Sequence, residues 1–112
     1  MTVVAVARVH GIASARAQLV TLLRRTAAAA RAEPGCRSYD AGEVLDTADD
    51  FLVVHAWADA AALEAHYRGT AHQAYQRDVF GLLARPSELV IHQVAASERP
   101  VDPGPMDPRE AD

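Results

Sequence analysis

Between Phe51 and Tyr75 the chain reads FLVVHAWADAAALEAHYRGTAHQAY, which holds three of its five histidines (His55, His66, His72), its only tryptophan, Trp57, and two of its three tyrosines. An ordinary core takes Leu, Ile or Val at such positions, so these crowded polar rings point either to a lined pocket or to a run of surface residues. An imidazole can remove a proton from a weakly acidic hydroxyl near neutral pH, which makes it a candidate general base. On that chemistry His55 or His66 is the base, Phe51 and Trp57 are flat walls for an aromatic ring, and His72, Tyr39 and Tyr75 orient the substrate's oxygens.

Each of these residues has a competing structural role. His55 could be a hydrogen-bonded core histidine or sit at a dimer edge, and His66 and His72 could brace a helix break at Gly69. Trp57 could be a core anchor, and the tyrosines could be amphipathic packing residues. The three histidines show neither H-x-x-x-H nor H-E-x-x-H spacing, so a metal site is not expected. Cys36 follows a helix end and has only Arg37 beside it to lower its pKa, which reads as a small buried residue.

Absences narrow the chemistry further. The sequence contains no lysine and no asparagine. Schiff-base catalysis and the phosphate-binding G-x-x-x-x-G-K-[ST] loop both need a lysine, and neither G-x-S-x-G nor G-x-G-x-x-G occurs. Eleven basic residues against 15 acidic ones give a net charge of -4, with the arginines scattered. Nucleic acid and anionic membrane are therefore poor partners. No window approaches the roughly 20 apolar residues of a membrane span, the N-terminus lacks the pattern of a signal peptide, and a lone cysteine fits a reducing compartment. The expectation is a cytoplasmic protein with no bound cofactor.

The elements that must position the rings can be read from periodicity. Val3 to Val9 is apolar and β-branched, as in a strand covered on both faces. From a Ser14 cap, Leu19, Leu22, Leu23, Thr26, Ala27 and Ala30 recur at helical spacing until Glu33–Gly35, EPG, ends the helix. Arg37 to Leu45 and Phe51 to Trp57 form a hairpin around DTADD. Asp59 caps a short helix through Tyr67. After Gly69, Thr70 and Gln73 form a capping box for a second helix to about Leu83. Pro86 separates that helix from a last strand, Leu89 to Val94. The order β-α-β-β-α-β predicts an α+β, ferredoxin-like split sandwich of four antiparallel strands with helices on one face. Val4, Val6, Leu52, Val54 and Ala56 make the opposite face apolar, so a second sheet should cover it in a homodimer. Residues 1–95 read as one domain, and the proline-rich, acidic segment 96–112 as a flexible tail or an arm over the partner.

With this order in place, the chain resembles the antibiotic biosynthesis monooxygenase superfamily of dimeric α+β barrels. The resemblance rests on AEPGCRSYD after the first helix, on FLVVHAWADAAALEAHYRGTAHQAY and on the final PSELVIHQV, and it spans about Val3 to Val94. Its most specific part is the W-x5-L-x2-H-x5-H spacing of Trp57, Leu63, His66 and His72. It implies that Phe51, Val53, His55 and Trp57 face a pocket under the helices. It also implies cofactor-independent oxygenation of a small aromatic, polyphenol or quinol-like molecule by dioxygen.

The asparagine, tryptophan and tyrosine site of some cofactor-free members would fall here on Val53, Trp57 and Leu63, so only the tryptophan carries over. The haem-degrading pattern would fall on Ala7, His66 and Gln76, and nothing matches. The quinol-monooxygenase branch, sharing LEAH, His72 and Tyr75, is the nearest in texture. Members often carry an acidic residue where this chain has His55. Two other readings follow: a non-catalytic module that binds a small hydrophobic ligand or merely dimerises, recognisable by a filled interior, and haem binding through His66 or His72.

Overall fold

A computed structural model describes residues 1–101 and 104, so the expected tail lies, from residue 102 onward with Gly104 excepted, outside the described residues. Strand β1 (Val3–Gly11) leads through a short 3-10 turn, Ala13–Ala15, into helix α1 (Arg16–Arg31), followed by β2 (Cys36–Glu43), β3 (Asp50–Trp57), α2 (Ala60–Arg68), α3 (Thr70–Val79), a second 3-10 turn, Phe80–Leu82, and β4 (Leu83–Gln93). The strands form one antiparallel sheet in the order β2-β3-β1-β4. This is the ferredoxin-like α+β arrangement expected from the element order.

The buried residues of α1 are the six whose spacing marked its stripe, from Leu19 to Ala30. The five apolar ones pack in one core with Val3, Val9, Phe51, Val53 and Trp57 of the sheet. Alternation along β3 buries Phe51, Val53, His55 and Trp57 and turns Leu52, Val54 and Ala56 to the opposite, open face. On that open face Leu52 is 38% and Val90 54% exposed.

Several local expectations are corrected. Ser14 lies inside the 3-10 turn, and Ala15 precedes α1 without a side-chain cap. Thr70 is the first residue of α3 and Gly69 its N-cap. Gln73 uses its side-chain amide on the Arg68 carbonyl at 3.1 Å, not in a capping box. The expected Asp59 cap does form, accepting from the Ala62 amide at 2.8 Å. Helix α3 ends at Val79 and β4 begins at Leu83, so Pro86 falls within the strand. An edge strand tolerates this because its outer N–H groups need no ladder partner, and the register shifts beside His10 occupy the same stretch.

One polar network interrupts the open face. Buried His10 of β1 approaches Asp50 of β3 through Nδ1 at 3.0 Å and Glu88 of β4 through Nε2 at 2.9 Å, while Arg8 donates to Asp50. Hydrogen bonds from His10 and then Arg8 hold the Asp50 carboxyl below the usual carboxylate range. The network fastens the three strands at the end of the sheet where β4 shifts register.

Candidate active site: a cavity lined by histidine and tyrosine rings

The space between the helix-facing side of the sheet and helices α2 and α3 is not filled. It is a cavity of about 780 Å³. Register brings Tyr39 of β2 directly opposite His55 of β3, with ring centroids 4.6 Å apart. Helix α2 supplies His66 and Tyr67, and α3 supplies His72, Tyr75 and Gln76. The His66 ring lies 5.5 Å from that of His55, 5.4 Å from Tyr67 and 5.1 Å from His72. Of the residues singled out in the sequence, His55, His66, His72, Tyr39 and Tyr75 all line this cavity.

Phe51 and Trp57 do not line it. Phe51 lies two strand positions past Val53, in the core, with the Arg16 guanidinium 5.1 Å from its ring centre. Trp57 is completely buried behind the histidines, its ring 4.7 Å from that of His66. Its indole N–H donates to Nδ1 of His55 over 2.7 Å. An indole nitrogen can only donate, so Nδ1 of His55 is an acceptor and the neutral ring carries its proton on Nε2. His55 therefore faces the cavity as a donor.

His66 has the opposite polarity. Its Nδ1 lies 2.7 Å from Oε2 of Glu33. A carboxylate only accepts, so Nδ1 carries the proton and Nε2 of the neutral ring has a free lone pair. That Nε2 is buried and has no hydrogen-bond partner, and the same is true of Tyr67 Oη and His72 Nδ1. Buried polar atoms in folded proteins are nearly always paired, and three unpaired ones on adjacent rings are what a ligand's oxygens would satisfy.

Glu33 was read in the sequence only as part of the EPG stop. That turn does two jobs. The Glu33 amide closes on the Ala30 carbonyl at 3.0 Å, ending α1, and the Glu33 side chain is delivered to α2. Gly35 makes the close approach possible: its φ is +80°, and a Cβ there would stand 2.6 Å from Cβ of Ala62 in α2. No local sequence signal ties Glu33 to a histidine 33 positions later.

Burial, followed by the nearby His66 and His72 rings, pushes His55 down to about 4. Burial and His66 push His72 down to about 4. His72 is the third residue of α3, where a neutral ring is also the form the helix terminus favours. Burial raises Tyr39, Tyr67 and Tyr75, so their hydroxyls remain neutral donors. Near pH 7 His55 and His72 are thus neutral rings, the three tyrosines are neutral hydroxyls, and His66 stands beside them with Glu33 on its Nδ1. Cys36, expected to be buried, is only half-buried, and burial and then Glu33 raise its thiol. Among the described residues no group of three or more His, Cys, Asp or Glu is arranged to hold a metal ion, and no helix is long and apolar enough to cross a membrane.

A single antiparallel sheet with helices on one side and a ring-lined cavity between them defines a small α+β domain built around a ligand space. The chain belongs to the antibiotic biosynthesis monooxygenase family, whose sequence model matches residues 2–78. The fold is similar to that of Rv0793 from Mycobacterium tuberculosis, with TM-score 0.82 and 28% identity over 88% of this chain and 100% of that one. It is also similar to PA3566 from Pseudomonas aeruginosa, with TM-score 0.77 and 25% identity over 85% and 95% of the two chains. The uncharacterized protein sll1783 of Synechocystis sp. is 32% identical over 68 residues, which are 61% of this chain and 46% of that relative, so less than half of the relative's length is covered.

Proposed function

We propose that this protein is a cofactor-independent monooxygenase of a small phenolic or quinol-like molecule, with His66 as the base and Glu33 holding it. The observation that carries the reading is the buried, unpartnered Nε2 of His66, a residue that lines the cavity, with Glu33 fixed on its Nδ1. Nε2 takes the proton of a phenolic hydroxyl. The donor Nε2–H of His55 and the hydroxyl of Tyr67 hold the resulting oxyanion, which places donors where charge develops. The phenolate adds dioxygen at a ring carbon ortho to an oxygen, forming a C–O bond and a hydroperoxide. Loss of water from that hydroperoxide, with the ring hydrogen, breaks the O–O bond and leaves a carbonyl. The sum is hydroquinone plus dioxygen giving hydroxyquinone plus water; the substrate supplies the electrons, so no flavin or metal is needed. Of the two candidate bases His66 takes the role, because an indole donor occupies the only ring nitrogen of neutral His55 able to take a proton.

The reading places this chain nearest the quinol-monooxygenase-like branch of its family. It also includes a cytoplasmic homodimer formed across the apolar open face. The test is oxygen uptake with a panel of hydroquinones and polyphenols, with hydrogen peroxide assayed in parallel. One dioxygen consumed per hydroxyquinone formed, without peroxide, supports the mechanism. Tight binding with no turnover across the panel would favour a non-catalytic ligand-binding module instead.

A further inference from the structure

The cavity is far larger than its polar end requires. An engineered apolar cavity of roughly 150 Å³ is enough to hold benzene, and this one is about 780 Å³. Its lining changes character along its length. Helix α3 presents His72, then Tyr75 and Gln76, then Val79, a run from polar rings to a branched aliphatic over roughly 10 Å at the helical rise. The sheet floor follows the same gradient: His55 gives way to Val53 and its partner Ala7, then to Val9. Leu83 and Leu89 of β4 continue the apolar end, and Phe80, 85% exposed, stands at its rim.

Leu89 points to the helix side of the sheet, as its pairing with Ala7 shows, yet it remains 48% exposed because no helix covers that edge. Among the described residues no carboxylate lines the cavity, and the one arginine that does, Arg85, has its guanidinium 3.2 Å from Nδ1 of His10, within the open-face network.

We propose that the ligand is an uncharged amphipathic molecule, an oxygen-bearing ring carrying a hydrocarbon substituent, with the ring at His55, His66, Tyr67 and His72 and the substituent laid along Val79, Leu83 and Leu89 to Phe80. The inference rests on the placement of the ring in the proposed function and adds the class of substituent. A bare quinol would leave the apolar half of the cavity wet, and a chain of several carbons removes that surface from water.

The test is calorimetric titration under anaerobic conditions, which separates binding from turnover, using 1,4-hydroquinones bearing no substituent, methyl, propyl or hexyl. Each added methylene should tighten Kd by roughly two- to fourfold, and Leu89→Ser and Phe80→Ser should flatten that slope. Both positions are exposed enough for these changes to leave the fold intact. A Kd independent of chain length, weaker binding of the hexyl compound than of the methyl one, or no binding by any member would overturn the proposal. Repeating the series in air separates it from the reading beneath it. A chain-length slope without oxygen uptake sinks the oxygenase and keeps the ligand class; oxygen uptake without a slope does the reverse.

Discussion

The indole N–H of Trp57 donates to Nδ1 of His55 across 2.7 Å, and both rings are buried. Two strand positions separate them, so they share a face of β3, and the bond fixes which nitrogen of His55 meets the cavity. Trp57→Phe keeps an apolar ring of similar shape and deletes the donor. The buried Nδ1 is then unsatisfied, and stability should fall by about 1–3 kcal/mol, read from the denaturant midpoint with an unchanged m-value. An unaltered midpoint would mean that the bond holds nothing.

Glu33→Gln removes the carboxylate that orients His66 while keeping a side chain of nearly equal volume. An amide can present its NH2 group to Nδ1, which favours the tautomer with the proton on Nε2 and removes the lone pair from the cavity. The value of kcat/KM on a responsive quinol should fall by roughly 10²-fold or more, with the loss mainly in kcat. A change confined to thermal stability would make Glu33 a packing residue.

Acid should weaken the fold before it reaches the carboxylate range. His55 and His72 sit near 4 in the folded chain, against an ordinary 6.5. The unfolded chain therefore binds more protons between those values, and stability drops as pH falls through that window, by up to about 1.4 kcal/mol per pH unit per histidine. Asp50, held low by His10 and Arg8, acts in the same direction over a lower window: its contribution is present above 3.8 and is lost only at lower pH. Urea unfolding at pH 7.5, 6, 5 and 4.5 should give a falling curve, made shallower by His72→Gln. A flat curve down to pH 4.5 would contradict buried, neutral histidines.

Val54→Asp places a charge on the apolar open face without touching the cavity. If two copies pack there, burying more than about 1,000 Å² in total, sedimentation should show a dimer for the natural chain and a monomer for the variant. A natural chain already monomeric at micromolar concentration would remove the interface.

Much of the fold was legible because its signals are local and periodic: the α1 stripe, the β3 alternation, the Asp59 cap and the Gly69 break all carry their cause within a few residues. Helix α3 and β4 were misjudged by several residues because Pro86 reads as a separator. Only the edge position of β4, a tertiary fact, makes that proline acceptable. In the candidate site, the ring types were visible and their polarity was not. Trp57 looked like a wall because tryptophan is large and flat, and it lies behind the pocket because β3 turns it toward the core. Glu33 was hidden because its partner, His66, is distant in sequence and near only once the EPG turn meets α2.

Oxygen uptake by the natural protein and by His66→Ala, on a hydroquinone the natural protein turns over, tests the central claim most directly. Circular dichroism and melting of both proteins show that the comparison is between folded chains. With His66 as the base, the variant should lose roughly 10²–10⁴-fold in kcat/KM while still binding the quinol anaerobically. A folded His66→Ala protein that consumes oxygen at the natural rate would contradict it.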